Sequence, residues 1–386
     1  MIRISDKSLC CGCTACESIC PAHCIVMRMD REGFDYPVAN SDLCIDCGLC
    51  EKVCPVLNPP VRTEPLASYA ARCEDNLYSV SSGGVFGLLA EEIINQGGSV
   101  CGAALDPSCA VEHREVETLK DLDALRGSKY VQSELYSIYE DVRCRLDDHC
   151  KVLFSGTPCQ IAGLKAFLRG DHPALYTVDI ACHGVPSPGL WEKYRSALAR
   201  RYSSVLKSVD FRDKSEGWRH YNIRYEFADK QVKVPRMKDP YLALFLQDMT
   251  LRPSCYDCRL RNGYSGSDIT LADLWSVAQT MPEMNDDKGV SGVLINTEKG
   301  RLLYERIAGM LKGREVTKEA VVAENGGFAT EPVPVPQRRE EFFKGVHSTA
   351  DLLKYMASFV VRKPLPVRIY RSFRRLLSTM KRRMKR

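Results

Sequence analysis

Two runs of four cysteines constrain this chain more than any other feature of it. Cys10, Cys13, Cys16 and Cys20 precede Pro21, and Cys44, Cys47, Cys50 and Cys54 precede Pro55, so both segments read C-x2-C-x2-C-x3-C-P at an offset of 34 residues. Three thiolates two residues apart wrap three corners of a cubane while backbone N–H groups point at its sulfides, and the fourth reaches across to a second cluster. The pattern predicts two 4Fe-4S clusters. One falls on Cys10, Cys13, Cys16 and Cys54, the other on Cys44, Cys47, Cys50 and Cys20. Zinc knuckles rarely need two interlocked sets of four at this spacing. The offset is also a helical-hairpin period, but it recurs once and no hairpin pattern accompanies it. Cys11 and Cys24 fall outside both runs and read as packed or merely adjacent thiols.

At 386 residues the chain has room for two or three domains. Its opening, MIRISDKSLCCGC, has no apolar core of the secretory kind, and no apolar run reaches the roughly 18 residues of a membrane span. We therefore read a cytosolic protein. In a reducing compartment disulfides are a poor use for 19 cysteines, and metal or cofactor ligation is the better one. The net charge of +5 is a property of the end of the chain: Arg362 to Arg386 holds eleven Lys or Arg and no acid, which leaves −6 on the rest. Within that tail Val367, Tyr370, Phe373, Leu376, Leu377 and Met380 recur near helical spacing opposite a basic face. Such a helix suits an anionic membrane surface or an acidic partner, with a frayed, solvated terminus as the alternative. No sequence-reading module accompanies it, so nucleic acid is not expected.

Three prolines in NPPVRTEP (58–65) mark a linker. Strands are predicted at 68–73, 99–105, 151–156, 174–182 and 267–275, and antiparallel pairing between about 208 and 237. A Ser81-Ser82-Gly83-Gly84 turn opens a helix that stops at Gly97-Gly98. Free N–H groups there suit a phosphate, and a plain serine cap suits them equally well. Lys129 and Tyr130 could meet a phosphate and an aromatic ring, or lie in a solvated loop. Cys159 stands in the first turn of a helix whose dipole lowers a thiol pKa. Cys182 ends the next strand, with His183 beyond it, so two strands deliver cysteines to the edge where α/β sheets place their sites. Cys255 and Cys258 form a C-x2-C that by itself suits a redox dithiol, a zinc half-site or half of an iron–sulfur cage. Asp268 and Asp273 flank a strand as turn residues or as hydroxyl acceptors. Buried free thiol is the default reading for Cys73, Cys101, Cys109, Cys144 and Cys150.

The succession SGGVFGLLAEEI, GSKYVQS, GTPCQIAGL, DIACHG and SCYDC followed by SDITLADLW resembles the coenzyme F420 hydrogenase/dehydrogenase beta-subunit family, over about residues 66–310 and behind a fused ferredoxin domain. The resemblance implies FAD, a third 4Fe-4S cluster on Cys159, Cys182, Cys255 and Cys258, and in some members a coenzyme F420 site beside the flavin. It places the flavin phosphate on Ser81, Ser82, Gly83 and Gly84, with Lys129 as a further candidate. His183 is then a proton donor or a ring hydrogen-bonded beside the cluster.

The expected architecture is an α+β ferredoxin-like two-cluster domain (1–60) followed by an α/β flavin-binding domain with a mixed sheet. The N-terminal part of that second domain takes 66–150 and its C-terminal part 151–340, and a basic tail takes 345–386. The expected function is electron transfer between a low-potential carrier or partner protein and a small hydride-type acceptor. The alternatives are a delivery subunit without its own substrate and a thiol enzyme working through Cys255 and Cys258. No hydrogenase or formate-oxidising module is fused here, and relatives that sit beside polysaccharide-modifying enzymes leave a glycan-linked role open.

Overall fold

The computed structural model describes residues 1–74, 82–323, 325–328 and 331–361. Ser81 and the tail from 362 onward, including the basic helix expected there, lie outside the described residues.

In the cysteine-rich segment each run wraps a loop that ends in one helical turn, α1 (Ala15–Ser18) and α2 (Leu49–Lys52). Both helices follow a residue in the left-handed region, Thr14 at φ 59° and Gly48 at φ 72°, which swings the chain out of the loop. Between them β1 (Ile25–Met29) and β2 (Asp35–Ala39) form an antiparallel hairpin. Its turn is organised by Asp30, whose Oδ1 accepts from the N–H groups of Glu32 and Phe34 at 2.9 and 3.0 Å.

The remainder is built on β3 (Ala67–Cys73), α3 (Val85–Asn95), β4 (Ser99–Leu105), β5 (Val111–Val116), α4 (Ile138–Asp147), β6 (Val152–Gly156), α5 (Pro158–Phe167), β7 (Leu175–Ile180) and α6 (Pro188–Tyr202). There follow β8 (Leu206–Asp213), β9 (Asn222–Phe227), β10 (Gln231–Pro235), α7 (Pro240–Phe245), β11 (Ile269–Asp273), β12 (Ser291–Ile295) and β13 (Leu311–Glu315). Eight strands make one mixed sheet in the order β13-β3-β12-β11-β7-β6-β4-β5. The β4-β6, β6-β7 and β7-β11 pairs are parallel and carry the near-continuous apolar runs of strands buried on both faces. β8, β9 and β10 form a separate antiparallel sheet over an aromatic core that includes Trp191, Tyr194, Phe211, Tyr225 and Tyr241.

Helix α7 ends at Phe245, and the chain reverses at Asp248, whose φ is +62°. The proline-rich stretch 58–65 reads as a linker, yet it is pinned: Thr63 N–H donates to the Gly263 carbonyl at 3.0 Å and Arg62 Nε to the Asn262 carbonyl at 3.2 Å. The hairpin turn is clamped as well. Arg339 takes Glu32 in a two-pronged pair, Nη1–Oε1 at 2.8 Å and Nη2–Oε2 at 2.5 Å, and also donates to the Leu251 carbonyl. Gly33 and Gly189 touch backbone to backbone, leaving no room for a Cβ on either.

Candidate functional site

Cys20, Cys44, Cys47 and Cys50 line one cavity near the surface, joined by Cys24. Cys47 is exposed, whereas Cys20 and Cys50 are buried. Cys24 lies 3.4 Å from Cys20, sulfur to sulfur, so it is a neighbour of this group and not an isolated packed thiol.

Cys10, Cys13, Cys16 and Cys54 gather behind it. Burial pushes the Cys16 thiol up first, with Cys10 and Cys54 as the charges that add to the effect. Cys54 is raised in the same way, by burial and then by Cys10 and Cys50. The fourth cysteine of each run thus lies with the first three of the other.

The third group comes from elements far apart in sequence. Thr157 and Gln160 close a capping box at the start of α5, with Pro158 at its first position, and so seat Cys159 in the first turn. Cys182 follows β7 after the Ala181 N–H has donated to the Leu271 carbonyl at 2.8 Å. Cys255 closes a single 3-10 turn, Pro253–Cys255, and Cys258 follows three residues later. Cys159, Cys182, Cys255 and Cys258 line one cavity together with Cys11 and His183. Among the described residues no three His, Cys, Asp or Glu converge as they would on a single ion; these four surround a space instead.

A lowered thiol pKa was expected for Cys159 from the helix dipole, and the surroundings reverse it. Its hydrogen bond with Cys11 and its burial raise it well above the ordinary value. Burial also raises Cys182 well above that value and pushes Cys255 up to about 12. A one-turn dipole does not outweigh burial among like groups. Four thiols around one space are nonetheless the donor set of a thiolate-ligated cluster, whose charge would offset the cost of deprotonating them. Cys11, which the motif leaves without a role, bridges two groups: it lines the third cavity, and its thiol interacts with those of both Cys13 and Cys159. The ferredoxin-type loop and the third cavity are therefore in direct contact. Helix α5 reinforces this, because a Cβ on Gly163 would lie 2.8 Å from Cys13 Cβ.

Residues 149–319 match the family model for the C terminus of the coenzyme F420 hydrogenase/dehydrogenase beta subunit, and residues 9–58 match a 4Fe-4S dicluster domain. The chain thus carries, behind a dicluster domain, the C-terminal domain of this beta-subunit family. Among solved structures, a chain from a xenon-derivatised F420-reducing [NiFe] hydrogenase complex of Methanosarcina barkeri aligns at 17% identity and a TM-score of 0.47, covering 71% of this chain and 97% of that one. No curated protein sequence matches. These two domains make this an iron–sulfur protein of the oxidoreductase class. Among the described residues no helix is long and apolar enough to cross a membrane.

The Ser-Gly turn leads into α3 through Gly84, which is in the left-handed region at φ 83° and leaves the helix without a side-chain cap. The serine cap considered above is therefore not what Ser82 provides; its hydroxyl donates to the Val290 carbonyl at 3.1 Å. Gly83 has no room for a side chain, since a Cβ would lie 2.3 Å from the Ala71 carbonyl oxygen. Its N–H donates to Ser291 Oγ at 3.0 Å.

Lys129 does not reach this turn. Its ammonium donates to the carbonyls of Ala124 and Arg126, and burial lowers its pKa to about 7. Tyr130 packs its ring on Phe211 and Phe245, and the Tyr241 hydroxyl donates to its carbonyl. Asp268 is buried and spent: Thr177 N–H, Thr177 Oγ1 and Thr297 Oγ1 all donate to its carboxylate. It ties the start of β11 to β7, away from the strand ends that carry the cysteines. Asp273 sits at the other end of β11 and accepts from Arg212 Nη1 at 2.6 Å.

Arg212 had no motif to announce it. It is flanked by Trp218, Tyr221 and Trp275, and among the described residues its Nε and Nη2 are buried without partners. His183 Nε2 lies 2.7 Å from Asp248 Oδ1, close enough for an ion pair though not aligned as a hydrogen bond, and its ring stands edge-on to Phe245. Cys73, Cys101 and Cys109 are buried as expected of inert thiols, but Cys144 is exposed and Cys150 half-buried, because both lie at the solvent end of α4.

Proposed function

We propose that this chain is an iron–sulfur flavoprotein that passes electrons from a low-potential carrier, through clusters on the two cysteine runs and on Cys159, Cys182, Cys255 and Cys258, to FAD in the α/β domain. The observation that carries this reading is the single cavity shared by four cysteines from three separate elements, in thiol contact through Cys11 with the dicluster domain. When bound, the clusters exchange single electrons and the flavin converts them to a two-electron hydride transfer.

The protein's own part is placement. The α5 capping box and the end of β7 set two thiols at the C-terminal edge of the parallel strands, and the 252–258 loop brings the other two. Ser82, Gly83 and Gly84 leave the first-turn N–H groups of α3 uncapped for a phosphate, and the unpartnered edge of Arg212 suits the same anion. Arg212 lies beside this turn through Asp273, which is paired in register with Ser291, the acceptor for Gly83. His183, held by Asp248 beside the third cavity, is in position to hold a proton there. Lys129 and Asp268 are committed elsewhere and take no part, whereas Tyr130 lies beside Arg212 and Asp273.

The acceptor in this reading is a small hydride-accepting molecule of the coenzyme F420 type. A protein partner is supported by Leu43 and Ile45, both exposed beside the exposed Cys47. The eleven cations after residue 361 add a contact with anionic lipid or an acidic partner. Anaerobic purification of the full chain, with iron, acid-labile sulfide and flavin measured together, tests the proposal. About twelve iron and about twelve sulfide per chain with about one FAD is the expected result. About eight of each would remove the third cluster, and loaded protein without flavin would leave an electron-delivery subunit.

A further inference from the structure

Arg252 stands three residues before Cys255 and is buried to 1% exposure. Its guanidinium does not meet a carboxylate. Nε donates to the Cys10 carbonyl at 2.7 Å, Nη1 to Gln132 Oε1 at 3.0 Å, and Nη2 to the Asp35 carbonyl at 2.7 Å and to Cys10 Sγ at 3.6 Å. The rings of Tyr36 and Phe34 lie 4.4 and 5.4 Å from it. Gln132 in turn donates to the Cys11 carbonyl at 3.1 Å. Gly12, at φ +70°, leaves the space: a Cβ there would lie 2.7 Å from Arg252 Nη1. The backbone of the same residue organises the other loop. Arg252 N–H donates to the Val185 carbonyl at 3.0 Å, and its own carbonyl accepts from Cys255 N–H at 2.9 Å.

A buried cation whose hydrogen-bond partners are carbonyls and a sulfur needs a counter-charge, since desolvation is otherwise too costly. Asp35 and Glu134 feel its charge, but burial favours their protonated forms, and the acidic side chain it hydrogen-bonds is Cys10, in the thiolate set of that cluster. We infer that Arg252 is the outer-sphere counter-ion of the cluster on Cys10, Cys13, Cys16 and Cys54, and that it raises that cluster's reduction potential above the one it would otherwise have. A positive charge and an N–H donated to a ligating sulfur both favour the more negative, reduced state. Because the same residue shapes the Cys255 loop, it also fixes the junction across which electrons pass between this cluster and the third cavity. The inference rests on the cluster assignment proposed above.

The test is a potentiometric titration of the anaerobically purified full chain, followed by EPR, with iron and sulfide counted in each sample. Arg252→Gln is expected to lower the potential of one cluster, shifting its one-electron equilibrium about tenfold (about 59 mV), while the other signals stay in place. Arg252→Lys keeps the charge but not the fork, and should recover most of that shift. A fully loaded Arg252→Gln with every potential unchanged overturns the inference, as does a uniform shift of all clusters. If Arg252→Gln fails to hold the cluster, Arg252→Lys decides: a residual shift of about two- to threefold in the one-electron equilibrium of that cluster alone supports the assignment, and an unchanged value or an equal shift of every cluster refutes it. Wild-type protein with fewer than about eight iron would instead sink the cluster reading itself, and this inference with it.

Discussion

At the scale of single residues, the chemistry of this protein turns on how cysteines are grouped rather than on how many there are. Cys11 and Cys159 make the point. The first stands between two motif cysteines and carries no spacing of its own, yet it lines the third cavity and touches both Cys13 and Cys159. The second is placed by a capping box, not by a metal motif. Cys159→Ser should therefore remove about four iron and four sulfide from the loaded chain and leave the remaining EPR signals intact. Cys11→Ser should retain the full complement, because four other thiols already surround the cavity. Equal iron loss in both variants would make Cys11 a ligand and displace one of the four. Which thiol ligates was not legible locally, since adjacency in space here joins Cys159, Cys182 and Cys255, which stand 23 and 73 residues apart in the chain.

At the scale of elements, α5 does two jobs: it presents Cys159 at one end and packs on the Cys13 loop at Gly163. A Cβ at that glycine would meet Cys13 Cβ at 2.8 Å, Tyr139 Oη at 2.9 Å and Cys13 Sγ at 3.0 Å. Alanine would gain about 1 kcal/mol of helix propensity, but overpacking a closed contact costs about 1 to 3 kcal/mol. We expect Gly163→Ala to destabilise the chain by about 1 kcal/mol and to perturb the signals of the Cys13 cluster, as measured by denaturant unfolding and EPR. An unchanged midpoint with unchanged spectra would mean that α5 and the loop can separate freely. The strands and most helices follow from apolar periodicity and from Gly and Pro punctuation, which are local properties. The separate sheet of β8, β9 and β10 and the reversal at Asp248 depend on contacts the periodicity does not encode.

At the scale of the whole molecule, the junction between the dicluster domain and the mixed sheet is polar and titratable. Asp35 on β2 and Glu134 beside β5 interact across it, and both are raised, with burial the first cause for each. Glu134 is pushed from 4.5 up to about 7 by burial and then by the charge of Asp35. The folded chain thus binds a proton that the unfolded chain releases, so the contribution to stability is present below about 4.5 and is lost as pH rises through about 7. Thermal unfolding followed by circular dichroism should show the wild-type midpoint falling from about pH 5 to about pH 8, with that part of the decline absent in Glu134→Gln. Parallel profiles for the two proteins would refute the shared proton.

The two cysteine runs, with their interlocked pairing, are determined by sequence alone, because a cubane fixes ligand spacing along a short loop and leaves the same mark wherever it occurs. The parallel strands and the edge that bears Cys159 and Cys182 are nearly as legible, since burial on both faces writes itself as continuous apolar runs. Only the tertiary structure brings Cys255 and Cys258 to those strand ends, turns Lys129 and Asp268 inward, and sets Arg252 between the two loops. Those arrangements arise from contacts between residues up to 242 positions apart, as in Arg252 and Cys10. A periodicity reports what a residue does to its neighbours in the chain, and such contacts are made by residues that are not neighbours until the chain has folded.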